Sequence, residues 1–208
     1  MVQAVQILKK LGLRYTEKGM TDLGNPEDTL IATLLAAQTT DVQVMRAYPG
    51  LRKTFPTLES LAKAPWTEIA KKINTIGIYR QKAKAVKKLA HMLIDEFDGT
   101  VPSTMEELIR LPGVGRKTAS IVLSFCFGVP AIAVDTHVLR IVQRLGWTTF
   151  KDPKRVELVL KELVPKTYWT KINRVMVPFG RDICRARSPQ CVRCPVAKWC
   201  AYSNKTVS

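Results

Sequence analysis

A glycine turn followed by a lysine, with an aspartate shortly downstream, is the part of this chain best suited to chemistry. Residues 111–119 read LPGVGRKTA, so Gly113 and Gly115 form a turn that leads directly into a helix. The N–H groups at a helix start lack intrahelical partners and lie at its positive end, where they bind phosphate without reading base sequence. The stretch therefore predicts a phosphate-binding turn.

A plain hairpin of two helices without a ligand is the alternative interpretation of this turn. An isolated Gly-x-Gly motif would favour that alternative. The longer LPGVGRK run and the basic residues around it favour contact with a nucleic-acid backbone instead. The predicted DNA-contacting residues of the turn are Leu111, Gly113, Val114, Gly115 and Arg116.

Lys117 follows the turn by two residues and is a candidate nucleophile toward a sugar carbon. A primary amine attacks only in its uncharged form. Arg116, the positive end of the helix and burial against the adjoining apolar segment would each favour that form. The common alternative for a lysine taken alone is a solvated side chain, so the interpretation depends on the neighbouring turn.

Asp135, in the stretch Val134-Asp135-Thr136-His137, supplies a carboxylate at the start of another predicted helix. Aspartate is a good N-cap for a helix that begins at Thr136. A carboxylate held by main-chain donors is also able to stabilise positive charge that develops on a sugar. We expect Asp135 to have both roles, and we interpret His137 as a structural histidine.

Four cysteines near the C-terminus have the spacing of a metal centre. They are Cys184, Cys191, Cys194 and Cys200, separated by six, two and five residues. Four thiolates in such a segment hold zinc or a [4Fe–4S] cluster, and the spacing alone leaves both open. Cys126 lies in an apolar helical segment and is expected to be a buried thiol. Arg185 and Arg187 lie between the ligands, where a metal centre would shape a basic lobe against duplex DNA.

The chain is strongly basic. Its 208 residues include 33 Lys and Arg against 17 Asp and Glu, a formal net charge of +16. No acidic residue occurs between Glu68 and Asp95, or after Asp182. Such a charge favours a polyanionic partner, nucleic acid before an anionic membrane surface. A hydrophobic content of 46% fits an ordinary folded protein.

Apolar spacing and capping residues predict an all-α fold. Longer helices are predicted over about residues 2–11, 26–38, 79–97, 116–127, 136–145 and 167–179. Shorter helices are predicted after Thr57, at Pro65-Trp66, behind a Ser103 capping box and from Asp152-Pro153. No strand pattern, internal repeat or low-complexity linker interrupts this series.

The sequence shows no export or membrane segment. Its longest uncharged run, residues 118–134, contains Gly128 and Pro130 and is shorter than the roughly 20 residues of a spanning helix. Five cysteines without a signal peptide favour the reducing cytosol. We therefore expect a cytoplasmic, nucleoid-associated protein of bacterial or archaeal origin, without membrane contact, and a monomer.

Together these motifs resemble the endonuclease III family of DNA glycosylases, in the helix-hairpin-helix–Gly/Pro-Asp superfamily. The resemblance extends from the Asn25-Pro26 helix to Cys200. It implies an all-α fold with a six-helix barrel domain over residues 21–129. It also implies a second domain, made of residues 1–20 and 130–208, that carries the cluster, with the active site in the cleft between the domains.

The same resemblance implies a bifunctional DNA glycosylase and AP lyase that removes oxidised pyrimidines from duplex DNA. Lys117 would form a Schiff base with the sugar, Asp135 would assist, and β-elimination would nick the strand. Gln38 would fill the gap left by the extruded base, and Ile78 would act as an apolar wedge. The four cysteines would bind a [4Fe–4S] cluster, and the partner would be double-stranded DNA with damaged pyrimidines or abasic sites.

Two other functions remain as alternatives. A monofunctional glycosylase of the same superfamily generally carries Tyr or Ser at the position of Lys117. A non-catalytic iron–sulfur module would use the hairpin only to hold the DNA backbone. Ser120 and Phe179 differ from the asparagine and histidine that are common in this family, which leaves the lesion preference open.

Overall fold

The computed structural model describes residues 2–15 and 22–205, and every regular element within them is helical. The α-helices are α1 (Val2–Gly12), α2 (Pro26–Leu35), α3 (Asp41–Thr54), α4 (Leu58–Lys63), α5 (Trp66–Lys72), α6 (Tyr79–Phe97), α7 (Met105–Leu108), α8 (Arg116–Cys126), α9 (Thr136–Arg144), α10 (Pro153–Leu163) and α11 (Trp169–Asp182). Short 3₁₀ turns lie at Lys166–Tyr168, Cys191–Arg193 and Ala197–Trp199. None of the described helices is long and apolar enough to cross a bilayer. The predicted all-α fold is confirmed.

Side-chain caps explain where several helices begin. Asn25 Oδ1 accepts a hydrogen bond from the Asp28 N–H at 2.8 Å at the start of α2. Asp152 Oδ1 accepts one from the Arg155 N–H at 2.9 Å at the start of α10. Because a helix leaves its first N–H groups unpaired, such a cap fixes the first helical residue. The predicted starts of α2 and α10 are confirmed.

Three predicted boundaries are wrong by a few residues, one of them the end of α11, which lies at Asp182 instead of Phe179. α2 ends at Leu35 instead of Gln38, because the chain turns and Gln38 adopts a left-handed conformation with φ of 55°. The short helix α7 is capped by Thr104 instead of Ser103. Thr104 Oγ1 accepts a hydrogen bond from the Glu107 N–H at 3.3 Å and donates to Glu107 Oε2 at 2.6 Å. The cap thus lies one residue later than predicted, and Glu107 bonds the Thr104 hydroxyl instead of the Thr104 N–H that a capping box requires.

α3 is a helix that the sequence analysis did not anticipate. Thr40 caps its start, and Val44, Tyr48 and Leu51 form its buried face. Pro49 lies inside the helix, where proline normally indicates a break. Val44, Tyr48 and Leu51 are spaced by four and then three residues, which is typical of a helix, but the proline between them argued against one.

The chain divides into two compact units. One unit comprises Met20–Phe127, and the other combines Met1–Gly19 with Gly128–Ser208. The junction between Gly19 and Met20, like the predicted domain boundary at residue 21, lies outside the described residues. Each unit contains its own buried apolar side chains.

In the unit Met20–Phe127, α2 is almost entirely buried and packs along α8, while α6 packs against α4 and α5. Lys87 of α6 connects two of these helices. Its Nζ donates hydrogen bonds to the carbonyl oxygens of Ala62 at 2.6 Å and Ala64 at 2.7 Å, at the end of α4. The last carbonyl groups of a helix have no partner within the helix. Lys87 therefore supplies hydrogen-bond donors to the carbonyl groups at the end of α4.

In the other unit, α11 packs against both α9 and α1. Phe179 of α11 is fully buried, and its ring lies 5.7 Å from that of Tyr15 in an edge-to-face arrangement. The Tyr15 hydroxyl donates to Asp182 Oδ2 at 2.6 Å. Burial and this carboxylate raise the pKa of Tyr15 to about 12. Phe179 is therefore a core residue that joins the N-terminal segment to α11.

Lys87→Met is expected to lower the free energy of unfolding by about 1–3 kcal/mol, because two carbonyl oxygens lose their charged donor. Urea denaturation followed by circular dichroism measures the change. Lys88→Met alters an exposed neighbour on the same helix and is expected to change stability by about 0.5 kcal/mol or less. Equal losses in both variants would show that Lys87 does not secure the end of α4.

Candidate functional site

The predicted glycine turn joins α7 to α8 as a helix-hairpin-helix. Gly113 has a φ of 77°, in the left-handed region, and the Val114 N–H donates to the Leu111 carbonyl oxygen at 3.1 Å. The side chains of Leu111 and Val114 are buried. These two residues, predicted to contact DNA, therefore anchor the turn with their side chains and are able to reach a ligand only through their main chain.

Gly113 packs against two buried helices of its unit. A Cβ at this position would lie 3.1 Å from Ala85 Cβ on α6 and 3.1 Å from Leu34 Cδ1 on α2. Gly115, the N-cap of α8, is exposed, with φ of −95° and nothing within 4 Å of a Cβ built there. The first glycine is thus required for packing, and the second leaves the start of α8 open.

The start of α8 suits an anion. Gly115 has no side chain with which to cap the helix. Arg116 and Lys117 are the first two helical residues, and both are exposed. The positive end of α8 and two exposed cationic side chains therefore lie together.

Lys117 is exposed, whereas the next three residues of α8, Thr118, Ala119 and Ser120, are buried. The expected burial of Lys117 against the apolar segment is not found in this structure. The cause is the helix register, since the position of Lys117 in the first turn directs its side chain away from the core. The amine is accordingly open to a ligand at the hairpin.

Asp135 caps α9, as predicted. Its Oδ1 accepts a hydrogen bond from the Val138 N–H at 2.8 Å, and its backbone is extended. His137, in the first turn of α9, is half-buried, and its Nδ1 lies 3.0 Å from Arg140 Nη2. Burial is the main cause that lowers the pKa of His137, and because a guanidinium only donates, Nδ1 accepts the hydrogen bond from Arg140. This agrees with its interpretation as a structural histidine.

Gln38 and Ile78 lie on two loops that touch. A Cβ on Gly77 would be 3.6 Å from the Gln38 carbonyl oxygen, so the loop after α2 packs against the loop before α6. Both residues are exposed and adopt left-handed backbone conformations, with φ of 55° at Gln38 and 51° at Ile78. Ile78 is 48% exposed, so it is not an ordinary core isoleucine.

Strain at such positions is informative. Left-handed backbone is rare for residues with a side chain and is especially unfavourable for a β-branched residue such as Ile78. Strained conformations persist only where the surrounding structure holds them, and they concentrate at functional sites. The two loops therefore form a second candidate site within the unit that contains Lys117.

The predicted site residues are divided between the two compact units. The hairpin, Lys117, Gln38 and Ile78 belong to the unit Met20–Phe127, while Asp135 and the four clustered cysteines belong to the other. The cleft between two domains stays a prediction from the resemblance.

The four predicted cysteine ligands line a single cavity, whose wall also includes Ile141, Leu145 and Phe179. Burial is the largest of the causes that raise the pKa of the Cys194 thiol to about 11. A metal centre favours the thiolate form that such burial disfavours. Cys126 belongs to the other unit and is half-buried instead of fully buried, with its Sγ 4.0 Å from the Asn25 carbonyl oxygen.

Four cysteine thiols around one cavity fit the ligand set of a [4Fe–4S] cluster. A zinc ion holds its sulfur ligands about 2.3 Å from one point. In residues 2–15 and 22–205, no three His, Cys, Asp or Glu side chains converge in that way. The four thiols instead surround a volume, as expected when each ligand binds a different iron atom of a [4Fe–4S] cluster.

Two basic side chains that the sequence analysis did not single out support this centre. Arg144 Nη1, at the end of α9, donates to Cys184 Sγ at 3.3 Å and to the Arg185 carbonyl oxygen at 2.7 Å. Lys205 Nζ donates to the Cys200 carbonyl oxygen at 2.6 Å. Arg144 and Lys205 thus contact the predicted ligands or the main chain beside them. Neither residue has a local sequence signal that would have identified it.

Arg185 and Arg187, the predicted DNA-contacting residues of this segment, are both exposed. Arg185 Nε donates to the Asp182 carbonyl oxygen at 3.0 Å and to that of Arg181 at 3.3 Å. The end of α11 therefore orients one of these arginines.

Family comparisons match most of the chain. Residues 31–166 match the HhH-GPD superfamily base excision DNA repair protein family. Residues 184–200 match the iron-sulfur binding domain of endonuclease III. The first match includes the hairpin, Lys117 and Asp135, and the second begins and ends on cysteines of the cavity.

Individual relatives agree with these families. Endonuclease III of Bacillus subtilis (strain 168) is 43% identical over 182 residues, which is 87% of this chain and 83% of that protein. Endonuclease III of Thermotoga maritima is 42% identical over 199 residues, 96% of this chain and 91% of that one. The solved structure of a trapped endonuclease III–DNA covalent intermediate, an estranged-adenine complex, has a TM-score of 0.91 and 41% identity, and covers 96% of this chain and 94% of that one.

Gly113→Ala is expected to lower the free energy of unfolding by about 2–4 kcal/mol, because the new Cβ meets two helices and the backbone is left-handed. Gly115→Ala is the matched control, since its backbone and surroundings tolerate a Cβ, and its stability is expected to stay within about 0.5 kcal/mol. Chemical denaturation measures both. Similar losses at the two glycines would contradict the distinction between a packed and an open position.

Proposed function

Since this chain belongs to the endonuclease III family, and is therefore a DNA glycosylase with AP lyase activity, we propose that Lys117 is its nucleophile and that Asp135 assists. The observation that supports this proposal best is the position of Lys117. It is an exposed amine on the first turn of α8, directly after a hairpin suited to bind phosphate. A phosphate bound at that turn would bring the attached sugar close to the amine.

The reaction needs two covalent steps. The Lys117 amine attacks C1′ of a nucleotide extruded from the duplex, and the bond from C1′ to the base breaks, with the electron pair and a proton leaving on the base. The sugar ring then opens, its oxygen takes a proton, and an imine remains between Nζ and C1′. Loss of a proton from C2′ eliminates the 3′ phosphate and nicks the strand.

Asp135 supports the first step electrostatically. Its carboxylate is held in one orientation by the Val138 N–H, at the positive end of α9. A fixed negative charge stabilises positive charge on the sugar as the base departs. The same carboxylate is able to accept the proton that the attacking amine loses.

Ile78 and Gln38 are proposed to hold the DNA open. Extrusion of a base leaves a gap in the stack and costs a few kcal/mol, less for a damaged base that stacks poorly. An exposed apolar side chain on a fixed loop is suited to enter such a gap, as wedges do in other DNA-distorting proteins. Gln38, on the touching loop, would take the place of the extruded base with its amide.

The chain carries a [4Fe–4S] cluster, and we propose Cys184, Cys191, Cys194 and Cys200 as its ligands. When bound, the cluster cross-links this segment through iron–sulfur bonds. The exposed side chains of Arg185 and Arg187 would thereby be presented to DNA phosphates, and binding would weaken steeply with salt.

DNA is the partner of the enzyme, and the substrate class we propose is duplex DNA with oxidised pyrimidines or abasic sites. The formal net charge of +16 and the open start of α8 support a backbone contact that does not depend on sequence. We further propose that the protein acts as a monomer at the bacterial nucleoid, where its substrate lies. The unit Met20–Phe127 would correspond to the barrel domain, and the unit that combines Met1–Gly19 with Gly128–Ser208 to the cluster domain.

Lys117→Ala is expected to abolish covalent trapping. The full-length, cluster-loaded protein is incubated with borohydride and a duplex that contains one oxidised pyrimidine or abasic site, and the imine is reduced to a stable adduct. Lys154→Ala removes an exposed lysine of α10 and is the matched control, with trapping expected at the parental level. Electrophoresis of labelled DNA measures the adduct.

The same experiment separates the alternatives. Base release without an adduct in the parent would indicate a monofunctional glycosylase. Tight binding without base release or adduct would indicate a non-catalytic module. An adduct of undiminished yield in Lys117→Ala would show that another amine is the nucleophile.

Ile78→Gly is expected to slow base release about tenfold in single-turnover assays, equivalent to roughly 1.4 kcal/mol, because the wedge is lost. Its stability is expected to change by no more than about 1 kcal/mol, since glycine relieves the left-handed strain as it removes a half-exposed side chain. Asp98→Gly is the matched control. Asp98 has a φ of 50° at the opposite end of α6, and base release should stay at the parental rate. Equal rates in both variants would argue against the wedge.

A further inference from the structure

Asn173 of α11 makes a reciprocal pair of hydrogen bonds with the main chain just before Asp135. Its Nδ2 donates to the Ala133 carbonyl oxygen at 2.6 Å, and the Ala133 N–H donates to its Oδ1 at 3.0 Å. We infer that Asn173 is a positioning residue for Asp135. The inference rests on the function proposed above, because it requires that Asp135 assists the reaction. It assigns Asn173 no contact with the substrate.

The segment that leads to Asp135 depends on this pair. Among the residues that the structure describes, main-chain groups from residue 128 to 134 form no hydrogen bond with other main-chain groups. Ala131, Ile132 and Ala133 are nevertheless buried. Buried main-chain N–H and C=O groups require partners, and the Asn173 amide supplies both for Ala133.

α11 also contacts the chain on the other side of Asp135. Arg140 Nη2, on α9, donates to the Gly180 carbonyl oxygen at 3.1 Å. A Cβ on Gly180 would lie only 2.8 Å from His137 Nδ1, so the two helices meet closely at this point. Asn173 upstream and Gly180 downstream thus bind the short stretch that contains Asp135 to a single rigid helix.

Loss of the amide is expected to act on the position of Asp135. Only Val134 separates Ala133 from Asp135 in the chain. Without Asn173, two buried polar groups lose their partners, and the extended segment shifts to recover hydrogen bonds. A displacement of about 1 Å in a group that assists the reaction is able to cost up to roughly a hundredfold in rate.

A double-mutant cycle tests the inference with the full-length, cluster-loaded protein. Asn173→Leu preserves the approximate size of the side chain, and Asn173→Asp retains an acceptor for the Ala133 N–H but loses the donor. Both are expected to lower the single-turnover rate of base release about tenfold to a hundredfold, while the Kd for the duplex stays within about twofold. In the Asp135→Asn background, the same substitutions are expected to cause no further loss, because the group they position is gone.

Gln143→Leu is the matched control, since it removes another bond from a side-chain amide to the main chain in the same unit. Gln143 Nε2 donates to the Phe150 carbonyl oxygen at 3.0 Å. Its rate should equal that of the parent, and visible absorbance of the cluster and the melting temperature verify that each variant is folded.

Three results would overturn the inference. Equal rate losses from Asn173→Leu with and without Asp135→Asn would show that the two residues act independently. A weaker Kd with an unchanged rate would assign Asn173 to DNA binding. A parental rate in Asp135→Asn alone would remove the role of Asp135 and the inference with it, whereas borohydride trapping through Lys117 would be unaffected.

Discussion

The close packing of one glycine turn against two buried helices fixes where the reactive part of the unit Met20–Phe127 lies. Gly113 has left-handed backbone, and Leu34 of α2 and Ala85 of α6 leave no space for a side chain beside it. α8 is therefore directed by contacts within a dense core, where small displacements are resisted. The exposure of Lys117 follows, because a helix that begins at Arg116 directs this side chain outward.

The same core also holds the strained backbone of the two loops that are proposed to enter DNA. Left-handed backbone at Gln38 and Ile78 is unfavourable by about 1–2 kcal/mol for each residue. Both loops continue directly into or out of helices with buried faces, α2 and α6, so relaxation of either loop would disturb packing. An exposed isoleucine held in this way loses little additional conformational freedom when it enters a gap in the duplex.

Local interactions explain what the sequence could predict. The starts of α2, α9 and α10 depend on a cap and its own first turn, so the residues that decide them are adjacent in the chain. The four-cysteine spacing is local for the same reason. α3 was missed because Pro49 outweighed the apolar spacing around it. The exposure of Ile78 and the pairing of Asn173 with Ala133 depend on residues that are distant in sequence, and no local pattern encodes them.

The proposed chemistry uses two helix starts in opposite ways. At α9 the N-terminal N–H groups are partly satisfied by the carboxylate of Asp135, which the helix holds in place as a reactive group. At α8 the corresponding residue is Gly115, which has no side chain, so the same kind of N–H groups stay available to an external phosphate. A carboxylate at position 115 would occupy that phosphate site from within. In the proposed function, the identity of one N-cap residue would therefore decide whether a helix start binds the DNA backbone or presents a charge to the sugar.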